Sequence, residues 1–265
     1  MLIIADLQRI SIPLLSISAL GGAAFSAIGA FWVLECQQIF GPDPHDVARI
    51  LVAVGFAFLL GIFFAGWAID LSRGRIREVF LIASSLAAAG LGAMNCITAD
   101  TPGMGIGLSF LAGLGLGGMY VPTAIALAIA SPDDVLGAIT GLDLSMRWVG
   151  AAIGYAVYFN LFQSKLTDVL PTNVGEAVVA AGLPLNKVPA FLGALLAKNT
   201  TALVAAGATP TIIGAAEEAV VESYTEGFQL VYLVTIAFTG AAIIVSLFLK
   251  DIRRYIDGRI AVQIK

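Results

Sequence analysis

Long uncharged apolar stretches alternate with short charged breaks along this chain, and the breaks mark out helices long enough to cross a lipid bilayer. A spanning helix needs about 20 apolar residues to cover roughly 30 Å of hydrocarbon. No charge falls between Arg9 and Glu35, which predicts a first span over residues 12–34. Arg49 and Asp70 bracket a second span, Glu78 and Asp100 a third. A fourth covers 105–130, and a last one covers 228–249, closed by Lys250 and Asp251. The fifth, over 137–162, differs from the others in holding Asp143 and Arg147 inside apolar sequence. The pattern predicts an all-α membrane protein with six transmembrane helices.

Composition agrees with the pattern. Hydrophobic residues make up 59% of the 265 residues, charged residues 12%, and the mean hydropathy is +0.95. A soluble domain carries about 25% charged residues, so much of this surface faces lipid. A net charge of −4 leaves no basic footprint for nucleic acid. Cys36 and Cys96 are far apart and offer neither a metal ligand set nor a disulfide framework. His45, the single histidine, sits in a Pro/Asp-rich loop and reads as a solvated side chain.

Basic residues set the orientation, since they collect on the cytoplasmic side. With both termini in the cytoplasm, nine fall inside: Arg9, Arg73, Arg75, Arg77, Lys250, Arg253, Arg254, Arg259 and Lys265. Four fall outside: Arg49, Lys165, Lys187 and Lys198. Residues 1–11 then form a cytoplasmic lead-in, 12–163 hold the first five spans, and 250–265 are a cytoplasmic tail. Residues 164–227 form a long outer loop, which Pro171, Gly182, Pro184, Pro189, Gly207, Pro210 and Gly214 divide into short amphipathic pieces. Thr209-Pro210 predicts an N-cap and first helical residue, opening a helix to about Tyr224. Asn199-Thr200-Thr201 is a glycosylation sequon on the outer side.

Helices associate in lipid through close packing at small residues. The fourth span has Gly105, Ser109, Gly113 and Gly117 at every fourth position. Its Gly113 to Gly118 cluster follows no strand, so it is not a dinucleotide loop. The first span carries Ser18, Gly22, Ser26 and Gly29 on one face, with Trp32 as an interfacial anchor and Glu35 at the mouth as a proton or substrate contact. In the fifth span Asp143, Arg147, Gly150, Gly154 and Tyr158 stay within a stripe about 80° wide at 100° per residue. Two readings fit this stripe: a cavity-lining face whose Arg147 meets substrate or a partner helix, or a structural intrahelical ion pair. The Ser131-Pro132-Asp133-Asp134 segment suits a capping role at the positive end of that helix. Within the spans there are no paired acids, no His-rich metal set and no Ser–His pair, and no Walker loop occurs. An enzyme is not expected, nor is a cofactor or metal.

The loop between spans two and three carries the most specific motif. Gly66, Asp70, Gly74 and Arg75, with Arg73 between them, resemble the signature loop of the major facilitator superfamily, with a turn one residue longer at Leu71-Ser72. Pro132-Asp-Asp-Val-Leu-Gly, Leu144-Ser-Met-Arg147, Gly150 to Asn160 and Tyr232 to Phe238 are similar to the fungal trichothecene-efflux and siderophore-transporter-like branch. The similarity runs from about Gly66 to the end. It implies a six-helix unit forming the C-terminal half of a major-facilitator bundle in the plasma membrane. It further implies a proton-coupled secondary transporter of small organic molecules such as toxins, drugs or siderophores. Asp70, Arg73 and Arg75 would serve a cytoplasmic gate; Asp143, Arg147, Tyr158 and Glu35 would line the cavity.

Carriers of that branch are longer than this chain, which corresponds to their last six spans. Since repeat-built transporters place the substrate between halves, the expected partners are the bilayer, a missing N-terminal half or a second copy, and a small-molecule substrate. The alternative expectation is a non-transporting regulator or scaffold derived from half a carrier.

Overall fold

A computed structural model of the protein describes residues 2–40, 44–197, 201, 203 and 207–252. Eight α-helices and no strand occur among the described residues. Helix α1 (Leu2–Ser26) passes through a π-helical turn (Ala27–Trp32) into α2 (Val33–Ile39). Helices α3 (Pro44–Leu71), α4 (Ile76–Ala93), α5 (Pro102–Ala130) and α6 (Leu136–Ala180) follow. A short α7 (Val188–Leu196) precedes the long α8 (Pro210–Leu247).

Helices α1 and α5 occupy the middle. Helix α1 packs on α5, α6 and α8, and α5 also packs on α3 and α4. The most apolar part of α5 is 61% buried against 28% for α3. Helix α3 accordingly turns Phe56, Phe63, Phe64 and Trp67 outward, an apolar face suited to lipid. Small residues let these helices touch backbone to backbone. A methyl group on Gly150 would overlap the Ala19 carbonyl oxygen of α1, and one on Gly117 would overlap the Phe58 carbonyl oxygen of α3. The every-fourth-residue stripe of α5 therefore works as a contact face, with Gly113 against Val54 and Gly105 beneath Trp32.

Five stretches are long and apolar enough to cross a membrane, Arg9–Ile39, Val47–Leu71, Ile76–Cys96, Pro102–Ala130 and Pro210–Leu247. The protein is a multi-pass integral membrane protein by these helices. The expected sixth span lies within α6, where Asp143, Arg147 and the tyrosines dilute the apolar character.

Several expected boundaries move. Helix α1 is already formed at Leu2, where a separate lead-in was expected. Residues 164–227 are not a loop of short pieces: α6 continues unbroken through Pro171 to Ala180, and α8 begins at Pro210 and runs on into the last span. The reason is packing. Val174 and Val178 of α6, Phe191 of α7, and Ile212 and Ala216 of α8 form a second buried cluster. That cluster rewards helix on either side of Pro171. The Thr209 cap does form, its side chain accepting from the Ile212 N–H at 3.3 Å, with Pro210 in the first turn. The α3–α4 connection turns on Arg73 and Gly74, both at positive φ (53° and 85°), and the N–H of the buried Ile252 donates to the Gly74 carbonyl at 3.1 Å. Asn199, the basic residues beyond Ile252 and the remainder of the tail lie outside the described residues.

Candidate functional site

Helix α6 buries one narrow face. Asp143, Arg147, Gly150, Gly154, Tyr158 and Phe162 are buried while their neighbours on α6 are exposed or half-buried, so the polar stripe is the face turned to the bundle. Glycines bring that face onto α1: a methyl on Gly22 would overlap the Arg147 carbonyl oxygen, and one on Gly154 would lie 2.7 Å from Ala23. The backbone contact leaves side chains such as Arg147 reaching past α1 toward α5.

Arg147 is 6% exposed and Asp143 1%. One guanidinium nitrogen donates to Asp143 Oδ2 at 2.7 Å and to Thr123 Oγ1 at 3.2 Å; Nε donates to Ser18 Oγ at 3.4 Å. The guanidinium carbon lies 4.1 Å from the centre of the Tyr120 ring, a cation–π arrangement. The Ser18 hydroxyl in turn donates to the Asp143 carbonyl at 3.3 Å. The cluster thus joins three helices, α1, α5 and α6, around one neutral ion pair. Asp143 Oδ1 is buried with no hydrogen-bond partner among the described residues, which leaves this oxygen as an acceptor. An acceptor and a charged fork at one place can orient a ligand bearing both a donor and an oxygen.

Tyr158 lies three helical turns further along α6, about 16 Å from Arg147 by helical rise. Its ring meets Phe31 edge-on at 5.9 Å and Phe238 at 5.7 Å; its hydroxyl is buried and unpartnered. It belongs to an aromatic layer with Phe162 and Phe228, whose centroids are 4.8 Å apart, and not to the Arg147 cluster. Glu35 sits in α2, one turn beyond Phe31, 1% exposed, and accepts from the Tyr232 hydroxyl of α8. Trp32 is fully buried against Gly105 and Phe40, with its indole N–H unpartnered. It is a core residue, not the interfacial anchor that its position suggested.

Asp70, Arg73 and Arg75 are exposed at the α3–α4 turn, and among the described residues none of them forms an ion pair. A methyl on Gly66 would meet nothing within 4 Å. These residues cluster at one end of the molecule, far from the buried stripe in sequence and exposure. An open apolar groove of about 440 Å³ lies elsewhere, along α4, lined by Leu81, Ile82, Ser85, Leu86 and Ala89. The Arg147 cluster itself is packed.

Three members of these sites escaped the sequence reading: Tyr120, Thr123 and Tyr232. The adjacent signal was Pro122, a helix-interior proline beside a threonine in an apolar span, where freed backbone groups and polar side chains tend to gather.

The chain resembles known proteins over nearly its whole length. Residues 5–265 match the family model described as fungal trichothecene efflux pump (TRI12). The trichothecene efflux pump TRI12 of Fusarium sporotrichioides is 24% identical across 95% of this chain and 42% of its own length. The pump of the same name from Trichoderma arundinaceum is 26% identical across 95% of this chain and 43% of its own. The tetracenomycin C resistance and export protein of Streptomyces glaucescens is 31% identical across 86% of this chain and 42% of its own. The chain therefore spans about two-fifths of the length of these curated relatives. With its apolar helices and its buried polar stripe, the chain belongs to the fungal trichothecene efflux pump (TRI12) family of major-facilitator efflux-type proteins.

Proposed function

We propose that this chain supplies one wall of a secondary transporter that exports small organic molecules, with the second wall supplied by an N-terminal portion or another copy. The observation that carries the reading is the buried Asp143–Arg147 pair, tied by Ser18 and Thr123 to two further helices and keeping an unpartnered acceptor. Ionisable groups inside spans are costly and mark ligand or ion paths. The activities for which the relatives are named, trichothecene efflux and tetracenomycin C export, support a drug-like cargo.

In this reading α6 counts as a sixth span, since its polar stripe faces inward and its other faces are apolar and exposed. Both ends of the chain face the cytoplasm of a plasma-membrane protein. The bond from Ile252 to Gly74 supports this by tying the segment after α8 to the basic α3–α4 turn. Asp70, Arg73 and Arg75, anchored by the turn that follows Gly66, meet the opposite half across a cytoplasmic gate. Tyr158 and Glu35 line the outer level of the path, and Asn199 lies on the outer side as a glycosylation acceptor. Export is driven by a proton gradient.

Inverted membrane vesicles test the proposal, carrying the chain alone or co-expressed with the N-terminal portion of a trichothecene pump relative. Accumulation of a trichothecene or of tetracenomycin C under a proton gradient is expected with both parts together. No accumulation in either preparation would defeat it in favour of a non-transporting scaffold.

A further inference from the structure

We infer that Glu35, held by Tyr232, is the proton-exchanging carboxyl of this bundle, and that its proton controls the seam between α2 and α8. The inference rests on the transport reading for its purpose but on separate residues for its evidence.

Glu35 is 1% exposed within an apolar stretch that runs from Arg9 to Ile39, and its described hydrogen-bond partner is the fully buried Tyr232 hydroxyl. Among the described residues the ion pairs are Arg147–Asp143 and Lys165–Glu226; no described cation reaches Glu35. Its situation is thus opposite to that of Asp143. A carboxylate without a counter-charge is costly in a dry, low-dielectric setting, whereas a carboxylic acid is tolerated there. Helix α2 packs on α8 and on α3. The titratable groups facing this point are Cys36 beside Glu35 and Tyr232 on α8; His45 and Arg49, on the near end of α3, are each engaged in an interaction of their own.

An irregular turn adjoins the site. The π-helical turn Ala27–Trp32 stands directly before α2, and such single turns recur at functional sites because they interrupt the regular backbone ladder. Its effect is visible on α1: Ser18, Gly22 and Ser26 face α6, while Gly29, next in the same series, is exposed. The π turn thus shifts the register of α2 relative to α1 within one continuous helix. With a proton on Glu35 the neutral carboxyl stays in the closed seam, and Tyr232 keeps its own proton while donating to Oε2. Release of the carboxyl proton to water leaves a carboxylate that needs hydration, and the seam between α2 and α8 opens to supply it.

Spin labels read this directly in the reconstituted full chain. Gln38 of α2 and Glu222 of α8 are exposed and take labels as cysteines in a Cys96→Ala background, where Cys36 stays unlabelled because it is buried. Pulsed EPR across a pH titration is expected to show two distance populations that exchange in the wild type. Glu35→Gln is expected to hold the closed population at every pH, and Tyr232→Phe to move the midpoint. A pH response in Glu35→Gln equal to that of the wild type, or none in the wild type, would overturn the inference. Should Glu35→Gln fail to assemble, an unmoved midpoint in both Glu35→Asp and Tyr232→Phe overturns it equally. Trichothecene flux in matched vesicles separates the two claims. Absent flux with an intact pH response removes the transport reading alone, and intact flux with no pH response removes the role of Glu35 alone.

Discussion

Arg147 and Glu35 are both buried in the helical bundle, and their surroundings treat them in opposite ways. Around Arg147 a carboxylate, two hydroxyls and an aromatic face come from three helices, and the α1–α6 backbones touch through Gly22 and Gly150 to hold them there. Around Glu35, among the described residues, there is one hydroxyl from one neighbouring helix, and an irregular turn at its base. The lesson is that burial alone does not define a transport residue. Arg147 is tied to three helices in a seam closed by backbone contact, whereas Glu35 has one described partner beside an irregular turn, and it is this second seam that is inferred to open.

Unpairing the tight site gives the largest expected effect. Arg147→Leu strands the Asp143 carboxylate and is expected to lower stability by about 3–5 kcal/mol, read by reversible unfolding in mixed micelles. Removing both charges together, as Arg147→Met with Asp143→Leu, is expected to recover most of that loss, since the pair's desolvation vanishes with it. If the double variant is no better than the single, the hydroxyls and Tyr120 carry the site and the ion pair does not.

Next comes the seam itself. Gly150→Val drives a branched side chain into the Ala19 backbone and is expected to cost about 1–3 kcal/mol by the same unfolding measurement. An unchanged unfolding midpoint would mean that α1 and α6 are not clasped, and the contrast with the α2–α8 seam would disappear. The smallest effect belongs to Glu35: Glu35→Gln keeps an acceptor for Tyr232 and is expected to alter stability by less than about 1 kcal/mol. A loss as large as that of Arg147→Leu would show Glu35 to be a structural group.

Much of this arrangement was legible in the chain. Charge brackets located the apolar helices because lipid excludes charge from everything between them. The α6 stripe was legible because 3.6-residue periodicity fixes which side chains share a face, and the buried set is the set that periodicity picks out. The segment 164–227 was not. Pro171 and the glycines read as breakers, yet Val174 and Val178 gain enough from packing on Phe191 and Ile212 to keep α6 helical to Ala180. Trp32 was misplaced for a related reason. Its distance from the helix end suggested the membrane interface, while a glycine on α5, at Gly105, makes room for its ring in the core. Thr123 and Tyr232 lie 24 and 197 residues from their polar partners, and no local pattern reports a pairing over such separations.

On the proposed transport function, the Arg147 fork orients cargo in addition to holding helices together. Arg147→Lys separates these roles, because lysine keeps the charge for Asp143 but loses the planar fork. The measurement is proton-driven trichothecene accumulation in inverted vesicles holding the co-expressed parts, normalised to folded protein. A several-fold loss of flux with the unfolding midpoint largely retained is expected. Wild-type flux in Arg147→Lys would contradict it and leave Arg147 a structural residue.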